Sequence, residues 1–229
     1  MVERNKTFQV VVHGIMVLLC LVCVLPFLLL IMSSVADENW LIMNGYSFFP
    51  AKLSADAYQY LLVDSSSIVR GYLISAFVTV AGTCISLVMT TLMAYPLSRK
   101  DLPGRYIFSF FIFFTMLFNG GLVPTYIMWT QTFHIKNTIF ALLVPNLLMG
   151  AFYVIMMRTY FSSNIPDAVI EAARIDGAGE MRILLKIVLP MSLPIIATLA
   201  LLTGLGYWND WLNGLYYIQN DSLYSIQVL

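Results

Sequence analysis

Tyr207-Trp208-Asn209-Asp210-Trp211-Leu212-Asn213 gathers side chains suited to holding a polyhydroxylated ligand. Sugars are bound by aromatic faces that stack on their C–H surfaces, and by carboxylates and amides that take their hydroxyls. Trp208 and Trp211 offer the faces, Asn209 and Asn213 the amides, and Asp210 the carboxylate. Trp and Tyr at the edge of an apolar stretch are equally what an interfacial aromatic belt contains, so both readings stand. Asp210 is the only carboxylate on any long apolar stretch or its rim, a place where ionisable groups tend to mark a pathway. Elsewhere the sequence offers little reactive chemistry. Cys20 and Cys23 have Cys-x-x-Cys spacing, but neither they nor Cys84 has a His or carboxylate beside it, and they read as small buried hydrophobes. Paired catalytic groups at membrane depth are missing, which argues against an intramembrane enzyme. No Gly-Lys-Ser or Gly-Lys-Thr occurs, so the chain has no phosphate-cradling P-loop.

The elements that carry these residues are set by composition. Sixty per cent of the 229 residues are hydrophobic and ten per cent charged, and the mean hydropathy is +0.83. A soluble domain carries about 25% charged residues, so this chain cannot cover a water-facing surface. Five long uncharged windows, 7–36, 71–98, 106–135, 137–157 and 187–209, can each supply the ~20 apolar residues that a helix needs to cross a bilayer. They lack the period-2 alternation of a membrane β-barrel. The expectation is an all-α, polytopic transmembrane helical bundle in a single domain, 1–229, with five spans.

The formal net charge is zero, but the basic residues are unevenly placed. With the N-terminus inside, Arg4, Lys6, Arg99, Lys100, Arg105, Arg158, Arg174, Arg182 and Lys186 are cytoplasmic and only Lys52, Arg70 and Lys136 face out. That distribution obeys the positive-inside rule. Residues 33–70, with Pro50 and the acids Asp37, Glu38, Asp56 and Asp64, then form an outside segment. The first span imitates a signal peptide but its apolar core is too long for one, and an uncleaved anchor is preferred. Gly120-Gly121 and Pro124 predict either a broken helix beside a transport path or close helix packing. His134 and Lys136 mark a tight outside turn.

Between the fourth and fifth windows the chain turns polar. Residues 164–190 read as two short helices around a turn, with Asn164 as N-cap and Pro166 in the opening turn. Ala168, Ala172 and Ile175 share one face of the first helix, and Asp167, Glu171 and Arg174 the opposite one. Gly177 suits a left-handed helix end. The second helix brings Met181, Leu184, Leu185 and Val188 to one side and Arg182 and Lys186 to the other. Pro190 opens the next span.

Glu171-Ala172-Ala173, Gly177 and Ile187-Val188-Leu189-Pro190 fill every fixed position of the "EAA" loop, and the chain resembles the permease subunits of importer-type ABC transporters. The resemblance implies the type I importer permease fold and a non-enzymatic subunit of the bacterial plasma membrane, multi-pass with a cytoplasmic N-terminus. It implies a second permease, a dimer of ATP-binding subunits and an extracellular solute-binding lipoprotein as partners, besides the lipid bilayer, and no nucleic acid. ATP would be bound by the separate subunit, leaving this chain without a cofactor. Glu171, Ala172, Ala173 and Gly177 would couple residues 158–190 to the ATPase. The family usually adds a sixth span, which is expected beyond Leu229.

Gly45-Tyr46-Ser47-Phe48-Phe49-Pro50, Ser54-Ala55-Asp56-Ala57-Tyr58, Leu97-Ser98-Arg99-Lys100-Asp101-Leu102-Pro103-Gly104-Arg105 and Gly120-Gly121-Leu122-Val123-Pro124-Thr125-Tyr126 are similar to the carbohydrate branch, in particular to the lipoprotein-associated sugar permeases of Firmicutes. Oligosaccharide import is the implied function, with Trp208, Asn209, Asp210, Trp211 and Asn213 as substrate-path candidates. Amino-acid and peptide permeases share the loop. A gradient-driven secondary transporter is the competing class, but it would want ionisable groups deep in the spans, where only His13 and the rim Asp210 come near.

Overall fold

A stretch such as 7–34, with no Asp, Glu, Lys or Arg in it, has no alternative in hydrocarbon to satisfying its backbone within one helix. The computed structural model, which describes residues 6–63 and 65–229, shows helix α1 over Lys6–Ser34, with Pro26 inside it and none of its residues buried. Arg4 and Asp64 of the charge distribution lie outside the described residues. At 1.5 Å per residue α1 is about 44 Å long, more than the hydrocarbon thickness.

The chain divides into two compact units, Met1–Ser66 and Ser67–Leu229. In the first, α1 is followed by α2 (Glu38–Asn44) and α3 (Asp56–Val63). Asp37 caps α2 by accepting from the Trp40 amide at 2.9 Å. An isolated antiparallel bridge, Ala36 to Leu53, draws the segment together, and the Ser34 and Tyr58 hydroxyls meet at 2.8 Å. No strand longer than that bridge occurs among the described residues.

The second unit is organised on α4, Ser65–Ser98. Its buried positions are mostly small: Gly71, Ser75, Gly82, Ser86, Thr90, Thr91 and Ala94. Small side chains let helices approach closely where no hydrophobic force drives them together. At its Arg70 end α4 adds Val78 to a cluster with Ala141, Leu142, Leu143, Tyr207 and Tyr217. At its Arg99 end Ala94, Tyr95 and Leu97 join Met157, Phe161, Ile170, Ile183 and Val188.

The remaining windows are broken. Helix α5 (Arg105–Leu117) stops at Phe118, and the chain bends by 112° into α6 (Leu122–Ile127), which continues as a π turn to Thr132. Gly121 sits at φ +85, and a Cβ there would meet nothing within 4 Å. The glycines therefore break the helix here; they do not admit a close neighbour within this chain. The freed groups find partners: the Gly121 amide donates to Asn119 Oδ1, and Thr125 Oγ1 donates to the Gly121 carbonyl.

The fourth window is not one helix. Helix α7 (Phe140–Leu143) ends at Pro145 and Asn146, the latter at φ +63, and α8 (Ala151–Asn164) begins after Gly150 and runs well past Met157. Pro145 has no amide to donate and Asn146 leaves the right-handed region, so the ladder cannot continue. The fifth window is bent by 83°: α10 (Glu180–Ile183), a π turn (Leu184–Val188) and α11 (Leu189–Met191) lead to Ser192, where α12 (Leu193–Trp208) departs. Pro190 and Pro194 flank that bend. By length and composition α1 and α4 are each able to cross a membrane, or four spans in all if each bent pair is one. Pro145 and Asn146 divide the fourth of the five expected windows, and the third and fifth are bent, the third at the glycines that suggested a broken helix. The three cysteines are exposed, not buried as expected.

Candidate functional site

The polar loop forms α9 over Asp167–Ile175. Asn164 does not cap it: that residue ends α8 and donates to the Tyr160 carbonyl, while Pro166 occupies the cap position without a side-chain bond. Asp167 stands in the first turn and Arg174 in the last, each complementing the helix dipole. Gly177 has φ +78, with the Ala178 amide donating back to the Ala173 carbonyl at 2.9 Å. That closes the helix in the manner expected of a left-handed glycine.

The faces of α9 differ from the sequence expectation. Ile170 and Ala173 turn inward, Ala173 being 9% exposed. Ala168, Ala172 and Ile175 are exposed, Ile175 to 87%. The apolar stripe read from the sequence is thus left uncovered, beside Glu171, while an i, i+3 pair anchors the helix. After α10 the π turn inserts one extra residue per turn. Ile183, Leu184 and Val188 face inward while Met181 and Leu185 are exposed, which corrects the predicted register.

Polar contacts join this loop to the end of α4. The Tyr95 hydroxyl donates to Glu180 Oε2 at 2.6 Å, and Arg174 Nε donates to Glu180 Oε1 at 2.7 Å. A second guanidinium nitrogen of Arg174 lies 2.9 Å from Asp101 Oδ2. Lys100 Nζ reaches Asp167 at 2.7 Å, with Arg99, stacked over Tyr95, 4.0 Å from the same carboxylate. Arg158 and Ser162 of α8 donate to the Leu97 and Ser98 carbonyls, closing the end of α4. Exposed ion pairs contribute little after screening. A hydrogen bond to a charged group contributes about 1.5–3 kcal/mol, so among these contacts Tyr95–Glu180 leads. The Tyr95 hydroxyl, and then Arg174, hold the Glu180 carboxyl below its usual range against the opposing effect of burial. Lys100 does the same for Asp167.

At the other end of the unit the aromatic cluster separates into roles. Asn213 is 4% exposed, and its Nδ2 donates to the Pro145 carbonyl at 3.0 Å. Tyr207, also buried, donates to the Leu143 carbonyl at 2.8 Å. The two side chains satisfy carbonyls that the α7–α8 break leaves without helical partners. Asp210 Oδ1 accepts from the Asn213 amide at 3.3 Å, in the first turn of α13 (Leu212–Tyr217). Asn209 donates back to Leu205, and Trp208 and Trp211 are exposed. The five candidates do not converge on one cleft.

A cleft does lie next to them. A cavity of about 280 Å³ opens between the α7–α8 break and α12, lined by Asn146, Leu147, Gly150, Phe152, Tyr153, Thr203 and Gly206. Thr203 is within about 8 Å of the Trp208 end of α12, at 1.5 Å per residue. Two glycines make the room, Asn146 and Thr203 supply amide and hydroxyl, and Tyr153 and Phe152 supply rings.

Residues 67–223 match the family described as the inner membrane component of binding-protein-dependent transport systems. The polygalacturonan/rhamnogalacturonan transport system permease protein YtcP of Bacillus subtilis is 38% identical over 99% of this chain and 78% of its own length. Protein LplC of the same organism is 35% identical, over 91% of this chain and 69% of its own. The chain belongs to this family.

The permease also superposes on a bacterial ABC transporter involved in the import of the acidic polysaccharide alginate, with a TM-score of 0.88 and 29% identity, over all of this chain and 80% of that one. It is a member of a transport family, not an enzyme family, and an inner-membrane component. Sequence reasoning located the permease's polar loop but missed the cavity, because Asn146 and Gly150 of the α7–α8 break, Tyr153 of α8 and Thr203 of α12 lie in apolar surroundings and meet only in the tertiary fold. Pro145-Asn146 and Gly150, turn-forming residues inside an apolar run, were the available signal.

Proposed function

We propose that this chain is a permease subunit of an ATP-driven importer that takes oligosaccharides from an extracellular solute-binding lipoprotein. It pairs with a second permease and rests on a dimer of ATP-binding subunits. The N-terminus and the Arg99 end of α4 face the cytoplasm. The observation that carries this reading is the uncovered stripe Ala168, Ala172 and Ile175 beside Glu171, on a helix whose inner face is anchored. Small apolar side chains let a partner's surface close on α9, and Glu171 reaches polar groups at its edge. Ala173 holds α9 in place from within, and Gly177 fixes where the chain turns away.

The sugar passes the cavity at the α7–α8 break. Rings with an amide and a hydroxyl suit carbohydrate, and the names of the relatives point to the same class of cargo. Trp208 and Trp211 flank its approach, and Asp210 and Asn213 support it by holding α13 and the Pro145 carbonyl.

The test is uptake by proteoliposomes holding this permease, its partner permease, the ATPase and the binding protein, with trigalacturonate as probe and ATP inside. ATP-dependent accumulation supports the reading. If a panel of oligosaccharides is inert while an amino acid or peptide stimulates ATP turnover, the carbohydrate assignment fails and the permease role stands.

A further inference from the structure

Behind the loop contacts lies a second cavity, of about 410 Å³, with Leu92 and Pro96 of α4, Leu102 and Pro103 of the following turn, and Met181 and Leu184 of the second loop segment on its walls. The apolar walls do not close on each other across this gap, whereas beneath it Ile170, Ile183 and Leu184 of the loop pack on Ala94, Tyr95 and Leu97 of α4. Across it run the polar links: Tyr95 to Glu180 at 2.6 Å, Glu180 to Arg174 at 2.7 Å, and Arg174 to Asp101 at 2.9 Å. Asp101 belongs to the turn that leaves α4, so the links form a closed ring that begins and ends at one membrane helix.

We propose that this ring is the strut that makes α4 follow the coupling helix, with Tyr95 and Glu180 as its positioning residues. The inference rests on the reading of α9 as the ATPase-docking helix. Arg174 occupies the last turn of α9 and Glu180 opens α10, so the ring grips both sides of the Gly177 corner. A displacement of α9 then reaches α4 through hydrogen bonds whose donors and acceptors are fixed. With the ring cut, the Gly177 corner is tied to α4 only through the buried packing of Ile170, Ile183 and Leu184, and the cavity gives that corner room to move relative to α4. The remaining bridges to the turn, Lys100–Asp167 and the longer Arg99–Asp167 contact, engage only the first turn of α9. They do not touch the corner.

Spin labels at Val169 and Val88, both exposed and neither on the Ala168, Ala172 and Ile175 stripe, measure the link in the full complex with the three native cysteines replaced. In the unaltered ring the separation changes by less than about 2 Å between the nucleotide-free and ATP/vanadate-trapped states, the scale of a packed helix shift. In Tyr95→Phe, and independently in Glu180→Ala, the trapped-state distribution broadens and its mean moves by more than about 4 Å, beyond that scale. The double variant goes no further than either single one, as expected of residues that act through one link. KM for ATP and crosslinking of an Ile175→Cys variant to the ATPase stay at their wild-type levels. Distances that match the wild type in both variants, with crosslinking intact, overturn the strut alone. Failure of Ile175→Cys to crosslink in the otherwise unaltered ring overturns the docking reading and the strut with it.

Discussion

A Cβ added to Gly82 on α4 would stand 2.5 Å from Cζ of the Tyr207 ring on α12. That ring ends in the hydroxyl that donates to the Leu143 carbonyl, so position 82 controls a contact on a third segment. Gly82→Ala is expected to displace the ring and destabilise the permease by about 1–3 kcal/mol, the usual cost of overpacking. The measurement is the apparent melting temperature of the purified complex. Gly204→Ala serves as the comparison: its Cβ would meet Thr83 Oγ1 at 3.5 Å, an ordinary contact, and should be close to silent.

Coupling should divide the two faces of α9. Ala172→Cys and Ile175→Cys crosslink to the ATPase subunit, and Ala173→Cys, facing the core, does not. Glu171→Ala leaves the complex assembled and lowers substrate-stimulated ATP turnover. Gly177→Val lowers it further, since a β-branched residue at φ +78 carries strain of about 1–3 kcal/mol. Normal turnover in both variants, measured in proteoliposomes, removes the coupling assignment.

Acid should loosen the loop in a defined direction. Glu180 is held below its ordinary value of 4.5, with the Tyr95 hydroxyl as the largest cause. A carboxylate depressed on folding contributes its stability fully above the unfolded value and loses it as pH falls through the folded one. Stability should therefore be flat across about pH 6–8 and decline only below 4.5. Glu180→Ala should make that decline shallower, and Asp167→Ala should do the same to a lesser degree because its Lys100 partner is exposed. Melting temperatures across the pH series provide the check, and an unchanged acid limb in Glu180→Ala refutes it.

The cavity and the aromatic rim make separable predictions. Thr203→Val and Asn146→Gly, which keeps the left-handed conformation, should reduce trigalacturonate-stimulated ATP turnover while basal turnover and assembly persist. Trp208→Ala should reduce it less, and Asp210→Asn should chiefly lower stability by weakening the first turn of α13. Equal loss of basal and stimulated turnover in Thr203→Val would assign that residue to packing.

Orientation is open to direct labelling. In a cysteine-free background, Lys52→Cys should react with an impermeant thiol reagent applied outside, and Arg182→Cys should react only after permeabilisation. Equal reaction at both positions reverses or defeats the assigned topology.

Much of the loop was legible because its signals are local. Gly177 takes its left-handed turn, and Asp167 and Arg174 occupy the ends of one short helix, as charge and spacing imply. Its faces were not legible. Ala168, Ala172 and Ile175 form as good an apolar stripe as Ile170 and Ala173, and only tertiary packing decides which is covered. The breaks within the windows were hidden for a related reason. Hydropathy over 137–157 and 187–209 is blind to how Pro145, Asn146, Pro190 and Pro194 divide an apolar run. Asn213, read as a ligand group, instead satisfies a carbonyl that such a break exposes.

The break between α7 and α8 also imposes an order on synthesis. The carbonyls of Leu143 and Pro145 enter the membrane long before their donors, which follow at Tyr207 and Asn213, separations of 64 and 68 residues. A nascent chain that has reached only α8 therefore lacks the side chains that satisfy these two peptide groups, which are costly if buried unpaired. The insertion machinery must shelter this segment, or leave it near water, until α12 and α13 emerge. A ribosome-stalled chain ending before Tyr207 is then a natural substrate for membrane quality control, whereas one ending past Asn213 has what it needs to leave the translocon.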